Sequence, residues 1–169
     1  MTRGDIKIVN EAEAVFSDEW IVDSGTSKES EAGEPTKGDD AAGGAWTGEV
    51  GIMVDGDGTT TQRFTGIAKS DSTETSAAAG IVNTYRPLPG LVYSAKALLS
   101  TTFDTASEMN AARGKRVFFD LTSSAWTVDV AATDAVVNCV VIVGGEYQTN
   151  VVHFAYAFKG TWLGFCISA

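Results

Sequence analysis

The sequence predicts a mainly β domain with one short helix and an extended N-terminal arm. Apolar and polar residues alternate with a period of two in several short segments, which is the pattern of strands that bury one face. The chain contains 18 glycines and only three prolines, which indicates many turns. Residues 24–45 contain no large apolar side chain, so burial cannot offset the entropy lost when they become ordered. We therefore expect a linker, a long loop or an arm lying on a partner there.

The segment 114–130 contains the clearest pair of strands. Residues 122–125 form a short polar turn between two segments in which apolar residues recur at every second position. The apolar residues in question are Val117, Phe119 and Leu121, then Trp126, Val128 and Val130. A hairpin with one buried face is not stable alone in water, so other strands of the chain must cover it.

The first third of the chain is predicted to be acidic and mostly extended. Residues 6–8 and 20–22 have the pattern of short extended segments, and the residues between them fit either a helical turn or a strand. We divide the chain into an acidic N-terminal arm or linker, residues 1–45, and a single β-rich domain, residues 46–169.

The β-rich domain is predicted to begin with a hairpin. Residues 50–54 and 61–69 read as strands, and the Asp-Gly sequence between them is a strong hairpin signal. Asp55 and Asp57 also resemble part of a calcium loop, but residues 62–64 supply no further ligand. We therefore favour a hairpin turn over a metal site.

Further strands are predicted along the rest of the chain. Residues 81–85 form one strand, a Pro-Gly break follows at residues 87–90, and another strand starts at residue 91. Residues 136–144 are nearly all apolar, which predicts a strand buried on both faces. Residues 151–158 alternate and would bury one face, and the apolar C-terminal tail is expected to be packed as a strand or in an interface.

One short helix is predicted at Ala106–Arg113. Thr105 and Glu108 have the spacing of a capping box, in which each side chain bonds to the backbone N–H of the other residue. Gly114 follows in the position where a glycine commonly ends a helix. The helix would have about two turns.

The net charge of −10 is concentrated at the N-terminal end. Residues 1–57 hold 14 acidic and four basic residues, whereas residues 58–169 hold eight of each. Binding to nucleic acid or to an anionic membrane requires clustered lysine and arginine, so neither partner is expected. An acidic arm is either a solvated segment or one that lies on a basic protein surface.

Residues suited to catalysis or to metal binding are few, so no enzymatic activity and no cofactor are expected. The chain has one histidine, His153, and lacks the Gly-x-Ser-x-Gly and phosphate-loop motifs. Two cysteines, Cys139 and Cys166, do not make a disulfide framework. The acids of the β-rich part alternate with apolar residues or lie beside turns, as solvated residues do. They are Asp120, Asp129, Asp134 and Glu146.

The tryptophans leave a sugar-binding function open, because exposed aromatic rings can stack on sugars. They are Trp20, Trp46, Trp126 and Trp162. One lies in each of four separate segments, so packing in the core is the better interpretation.

Four stretches of sequence together resemble the head decoration, or cement, proteins of tailed phages. They are RFTGIAKSD at 63–71, AAGIVNTYRPLPGLVYSA at 78–95, GKRVFFDLTSSAWTVD at 114–129, and the closing VIVGG with VVHFAYAF. The resemblance covers roughly residues 48–158 and rests on strand patterns rather than on chemical signatures.

The resemblance implies a small β-barrel or β-tulip domain, with a sandwich-like domain as the related alternative. It also implies a homotrimer that binds the major capsid protein on the outer surface of the virion, after synthesis in the host cytoplasm, and that braces the shell. In that case we expect four apolar residues of the arm to contact a neighbour, namely Ile6, Ile8, Phe16 and Trp20. The alternative function is a head-fibre or a receptor- or glycan-binding β-module of a virion.

Overall fold

A computed structural model of the chain describes residues 6–9, 17–22, 30–40, 46–53, 64–88, 90–132, 134 and 140–156. Within these residues the chain forms a seven-stranded sheet and a small closed barrel, with one short helix. The predicted mainly β class, including a small barrel, is confirmed.

The large sheet is built mainly from the C-terminal half of the chain. Its strands are β1 (Lys7–Ile8), β7 (Tyr93–Ala97), β8 (Arg116–Val117), β9 (Phe119–Thr122), β10 (Ala125–Val128), β11 (Val140–Glu146) and β12 (Val151–Tyr156). Their spatial order is β8-β11-β12-β7-β10-β9, and β1 also pairs with β7. The β7–β10 pair is parallel, and the other pairs are antiparallel.

The hairpin predicted within residues 114–130 is confirmed as β9 and β10, but Val117, expected in its first strand, lies in the separate strand β8, which pairs with β11. Trp126 lies opposite Leu121, and Val128 lies opposite Phe119. The turn residues Ser123 and Ser124 have φ angles of 53° and 64°. Positive φ at both central residues is the condition for the tight turn that matches the twist of two paired strands.

The predicted helix is also confirmed, as α1 (Ala106–Ala112), which ends one residue before the predicted end. The Thr105 side chain accepts a hydrogen bond from the Glu108 backbone N–H, and the Glu108 carboxylate accepts one from the Thr105 N–H. Gly114 follows with a φ of +82°, a conformation that favours glycine.

The barrel is formed by β2 (Ser17–Val22), β3 (Pro35–Asp40), β4 (Trp46–Ile52), β5 (Phe64–Ala68) and β6 (Gly80–Tyr85). The order is β2-β4-β3-β5-β6, and β6 pairs with β2 to close it. A closed barrel leaves no free sheet edge, so its wall presents side chains rather than unpaired backbone groups.

The interior of the barrel is partly apolar and partly hydroxyl-lined. A small apolar cluster consists of Val22, Val50, Ala68 and Val82, with Trp20 packed against it. Two buried hydroxyls form a short hydrogen-bonded chain between β5 and β3: Thr65 Oγ1 donates to Thr36 Oγ1 at 2.8 Å, and Thr36 Oγ1 donates to the Gly66 carbonyl at 3.0 Å. A side chain at Gly66 would meet the Tyr85 carbonyl at 2.3 Å, so only glycine fits where β5 approaches β6.

The main apolar core joins the barrel strands to the large sheet. Met53 and Ile67 belong to the same buried cluster as Tyr93, Phe119 and Phe154 of the sheet. Buried Glu34 adds a polar link, because its Oε1 accepts a hydrogen bond from the Trp126 indole Nε1 at 3.2 Å. The two β assemblies are therefore held together by burial and by a specific hydrogen bond.

The predicted arm over residues 1–45 does not agree with the structure at residues 17–22 and 35–40. Both segments are barrel strands, and β3 pairs with β4 on one side and β5 on the other. The polar composition of residues 24–45 suggested a loop, but Thr36 and Gly38 are buried between neighbouring strands. Residues 10–16, 23–29 and 41–45 lie outside the described residues.

Two further strand predictions need correction. The predicted hairpin of residues 50–54 and 61–69 is wrong as a pair, because β3 lies between β4 and β5 in the barrel. Its turn, with Asp55 and Asp57, lies outside the described residues. The strand predicted at 136–144 appears as β11, but Val143 is 44% exposed, so this strand is not buried on both faces. Cys139, Cys166 and the C-terminal tail also lie outside the described residues.

Candidate functional site

The four predicted contact residues of the arm have different positions. Ile6 is 4% exposed and belongs to the main core of its own chain. Ile8 lies in β1 opposite Tyr93, and Phe16 lies outside the described residues. Trp20 is half-buried, and its indole Nε1 donates to Thr84 Oγ1 at 3.1 Å. Ile6 and Trp20 thus pack within their own chain, so these two do not form a free apolar arm.

The outer wall of the barrel carries an exposed apolar pair that sequence analysis did not select. Ile21 of β2 lies directly opposite Ile81 of β6, and their exposed fractions are 53% and 39%. Directly opposed residues of an antiparallel pair have Cβ atoms about 5 Å apart, so the two side chains form one surface. The signal was present in the sequence, because Ile21 lies between Trp20 and Val22 and must face away from them.

Acidic residues flank this pair. Glu19 is two residues before Ile21 on the same face of β2, and Glu49 of β4 lies opposite Ile21. We call these four residues, Glu19, Ile21, Glu49 and Ile81, the wall patch. Its centre is apolar and its flanks are anionic.

The charge of the described barrel residues is also strongly acidic. Residues 17–22, 30–40 and 46–53 contain seven acids and one lysine, which gives −6, whereas residues 64–88 contain two acids and two bases, which gives zero. Arg86 binds Asp18 at one end of β2, with its Nε donating to Asp18 Oδ2 at 2.8 Å. The hydrogen bond from Arg86 is the largest influence and holds the pKa of Asp18 below its usual range; burial opposes it, and the charge of Arg86 adds a smaller lowering.

The acids considered for catalysis serve as local hydrogen-bond acceptors. Asp129 Oδ1 accepts from the Ala131 N–H and Asp134 Oδ1 accepts from the Arg116 N–H, both at 3.0 Å. Glu146 Oε2 accepts from Thr149 Oγ1 at 3.1 Å. These hydrogen bonds fix turns and strand ends. They agree with the interpretation from the sequence, which placed these acids beside turns.

His153 lies on β12 with the register partners Ser94 and Gly144. Neither partner supplies the carboxylate that orients the base of a catalytic triad. The absence of enzymatic activity stays a prediction.

Two buried polar groups in segments next to the barrel strands have no hydrogen-bond partner within the described ranges. They are the Glu74 carboxylate, through both oxygens, and the Ser30 hydroxyl. One carboxylate is fewer than a hard cation such as Ca²⁺ requires. In the described part of the chain, no group of three or more His, Cys, Asp or Glu residues could hold a metal ion.

The described tryptophan side chains do not form an exposed row. Trp126 is fully buried, against Phe119 with the ring centroids 6.3 Å apart, and Trp20 is half-buried in the barrel. The side chain of Trp46 and all of Trp162 lie outside the described residues. Core packing is thus confirmed for Trp126.

The comparisons with known proteins identify no relative. No family model, no curated protein and no solved structure matches the chain. No helix in the described part of the chain has the length and apolar character needed to span a bilayer.

Proposed function

We propose that the protein is a non-enzymatic virion component that decorates the outer surface of a tailed-phage capsid and bridges subunits of the major capsid protein. In this role it acts as a homotrimer, needs no cofactor, and stabilises the shell by adding contacts between neighbouring subunits.

The observation that supports the proposal most is how the resembling stretches map onto the fold. Residues 63–71 contain β5, residues 78–95 contain β6 and the start of β7, and residues 114–129 contain β8 to β10. The closing VIVGG contains most of β11, and VVHFAYAF contains all of β12. The resembling stretches therefore coincide with two barrel strands, β5 and β6, and with most strands of the large sheet, whereas β1 to β4 lie outside them.

The physical character of the surface is consistent with a protein that acts by binding. The barrel is acidic and carries exposed apolar side chains on a wall with no free edge. Contacts of this kind can add binding energy without any reacting group.

The positions of Ile6 and Trp20 affect which part of the chain would contact the capsid. Ile6 is buried, and Trp20 is packed in the barrel. Because both residues are held by their own chain, the body of the protein must supply at least part of the contact. The contact is therefore made by a preformed surface rather than by Ile6 and Trp20 in an extended arm. Such a surface loses less conformational entropy on binding.

Co-sedimentation with capsid shells tests the proposal. The shells are assembled from the major capsid protein of the genome that encodes this chain, in the unexpanded and the expanded form. We expect saturable binding to expanded shells, at a fixed ratio to the capsid subunits, and a trimeric mass by light scattering on the shell or in solution. Failure to bind either form of the shell would overturn the proposal.

A further inference from the structure

The isoleucines of the wall patch form a paired and rigid apolar surface. Its apolar residues are directly paired rather than scattered, since Ile21 and Ile81 occupy one register position. Both are β-branched, and therefore stiff, side chains on strands that are hydrogen-bonded on both sides. Docking on this surface would order few additional degrees of freedom, which favours binding.

The local backbone holds Ile81 in place. Thr73 N–H donates to the Ile81 carbonyl at 3.0 Å, and the Ile81 N–H donates to Thr73 Oγ1 at 3.0 Å. On its other side, Ile81 belongs to the six-residue register between β6 and β2. The apolar centre of the wall patch is therefore fixed by backbone contacts on two sides.

The charge around the wall patch indicates which kind of surface it fits. Glu19 and Glu49 flank the isoleucines, and residues 17–22, 30–40 and 46–53 hold seven acids against one lysine, of which Glu34 is buried in the core and Asp18 is paired with Arg86. An identical wall patch brought face to face would set glutamates against glutamates, which is unfavourable. A surface with an apolar centre and lysine or arginine at its rim would be complementary.

We infer that the wall patch is the docking surface for the capsid, and that it binds an apolar spot of the major capsid protein rimmed by basic residues. The name of the partner rests on the proposed function. The chemistry of the partner surface rests on Ile21, Ile81 and their acidic flanks alone.

Paired substitutions in the full-length chain test this inference. Ile21→Lys with Ile81→Lys removes the apolar centre and places positive charge against the basic rim. Ile21→Thr with Ile81→Thr removes apolar surface only and keeps β-branched side chains that suit strands. The matched control is Leu99→Lys with Val143→Lys, because these residues are 52% and 44% exposed and lie outside the barrel strands.

The readouts are affinity for expanded shells by co-sedimentation, its dependence on salt, and the native mass of each variant. We expect the threonine pair to weaken binding roughly 10-fold or more, from the apolar area that is no longer buried. The lysine pair should weaken it further, the control pair should leave it within about 3-fold, and added salt should weaken the binding of the unmodified protein.

The possible outcomes separate the two proposals. If the unmodified protein binds shells and the two Ile21–Ile81 variants bind equally well, the docking surface is wrong and the proposed function stands. If the unmodified protein does not bind, the proposed function itself fails. Loss of trimeric mass in the Ile21–Ile81 variants alone would show that the wall patch joins copies of this chain, which would also overturn the inference.

Discussion

Replacing Glu34 tests how the barrel is joined to the large sheet. Its side chain is 1% exposed and accepts hydrogen bonds from Trp126 Nε1 at 3.2 Å and from the Glu31 backbone N–H at 2.8 Å. Glu34→Ala leaves the buried indole N–H without this acceptor, which costs about 1–3 kcal/mol. Loss of the second bond adds about 1 kcal/mol, so we expect a total loss of about 2–4 kcal/mol in the free energy of unfolding. Glu34→Gln keeps one carbonyl acceptor but sets an amide donor against a donor, so we expect about half of that loss.

The assay is urea unfolding followed by circular dichroism and by tryptophan fluorescence. A double-mutant cycle of Glu34→Ala with Trp126→Phe isolates the bond, because Ala has no acceptor and Phe keeps an aromatic ring but has no N–H. We expect a coupling of about 1–2 kcal/mol, in the range measured for residues in direct contact. Glu19→Gln makes the same charge change at an exposed strand position and serves as the control. A coupling near zero, or a Glu34→Ala variant as stable as the unmodified protein, would refute the role of Glu34 as a link between the two assemblies.

The remaining predictions concern single features of the fold. Ser124→Gly should raise the free energy of unfolding by about 0.5–1 kcal/mol, because glycine has no penalty at positive φ, and a lower midpoint in urea would contradict this. Burial raises the pKa of Tyr93 well above its usual range, and its hydroxyl has no partner among the described residues, so Tyr93→Phe should be equally or more stable. Stability of the unmodified protein should therefore fall as pH rises above about 10, the pKa in the unfolded chain, and the variant should lose less over that range in urea titrations at fixed pH. Asp18→Asn should lower stability by no more than about 1 kcal/mol near neutral pH, since the pair with Arg86 is partly exposed. Because the pKa of Asp18 is lowered, this contribution is present above about pH 4 and is lost as pH falls, so a difference between Asp18→Asn and the unmodified protein that grew at low pH would contradict it. Deleting residues 1–45 removes β1, β2 and β3, so the truncated chain should lose cooperative unfolding, and an unchanged transition by circular dichroism would show that those strands are dispensable.

Features fixed by neighbouring residues were predicted correctly from the sequence. The hairpin β9–β10 and the helix α1 each depend on a turn or cap within a few residues. In each strand of the hairpin, apolar residues at every second position, which include Phe119 and Trp126, identify the buried face. The strand β6 was found in the same way, from residues 81–85.

The set of strands that forms the barrel could not be predicted, because β3, which lies between β4 and β5, lacks an apolar pattern. β3 is PTKGDD, and its buried positions are filled by Thr36, which bonds to Gly66, and by Gly38, which lies opposite Val50. Polar composition therefore indicated a loop where hydroxyl bonds and close backbone packing make a strand. The Asp-Gly signal after β4 similarly indicated pairing with β5, since nothing local shows that β3 lies between them.

The candidate site was missed for a related reason. Apolar residues of the N-terminal third were expected to bind a neighbour. Alternation places Ile21 on the opposite face of β2 from Trp20 and Val22, but it does not show which of the two faces is buried. That distinction depends on the register of β2 against β6, which is set by barrel closure.

The most direct measurement of the proposed function is the temperature at which expanded, DNA-filled heads release their DNA, with and without saturating protein. We expect the protein to raise this temperature, and the Ile21→Lys, Ile81→Lys variant at the same concentration to leave it unchanged. A release temperature that is the same with and without the bound protein would contradict a stabilising role on the capsid.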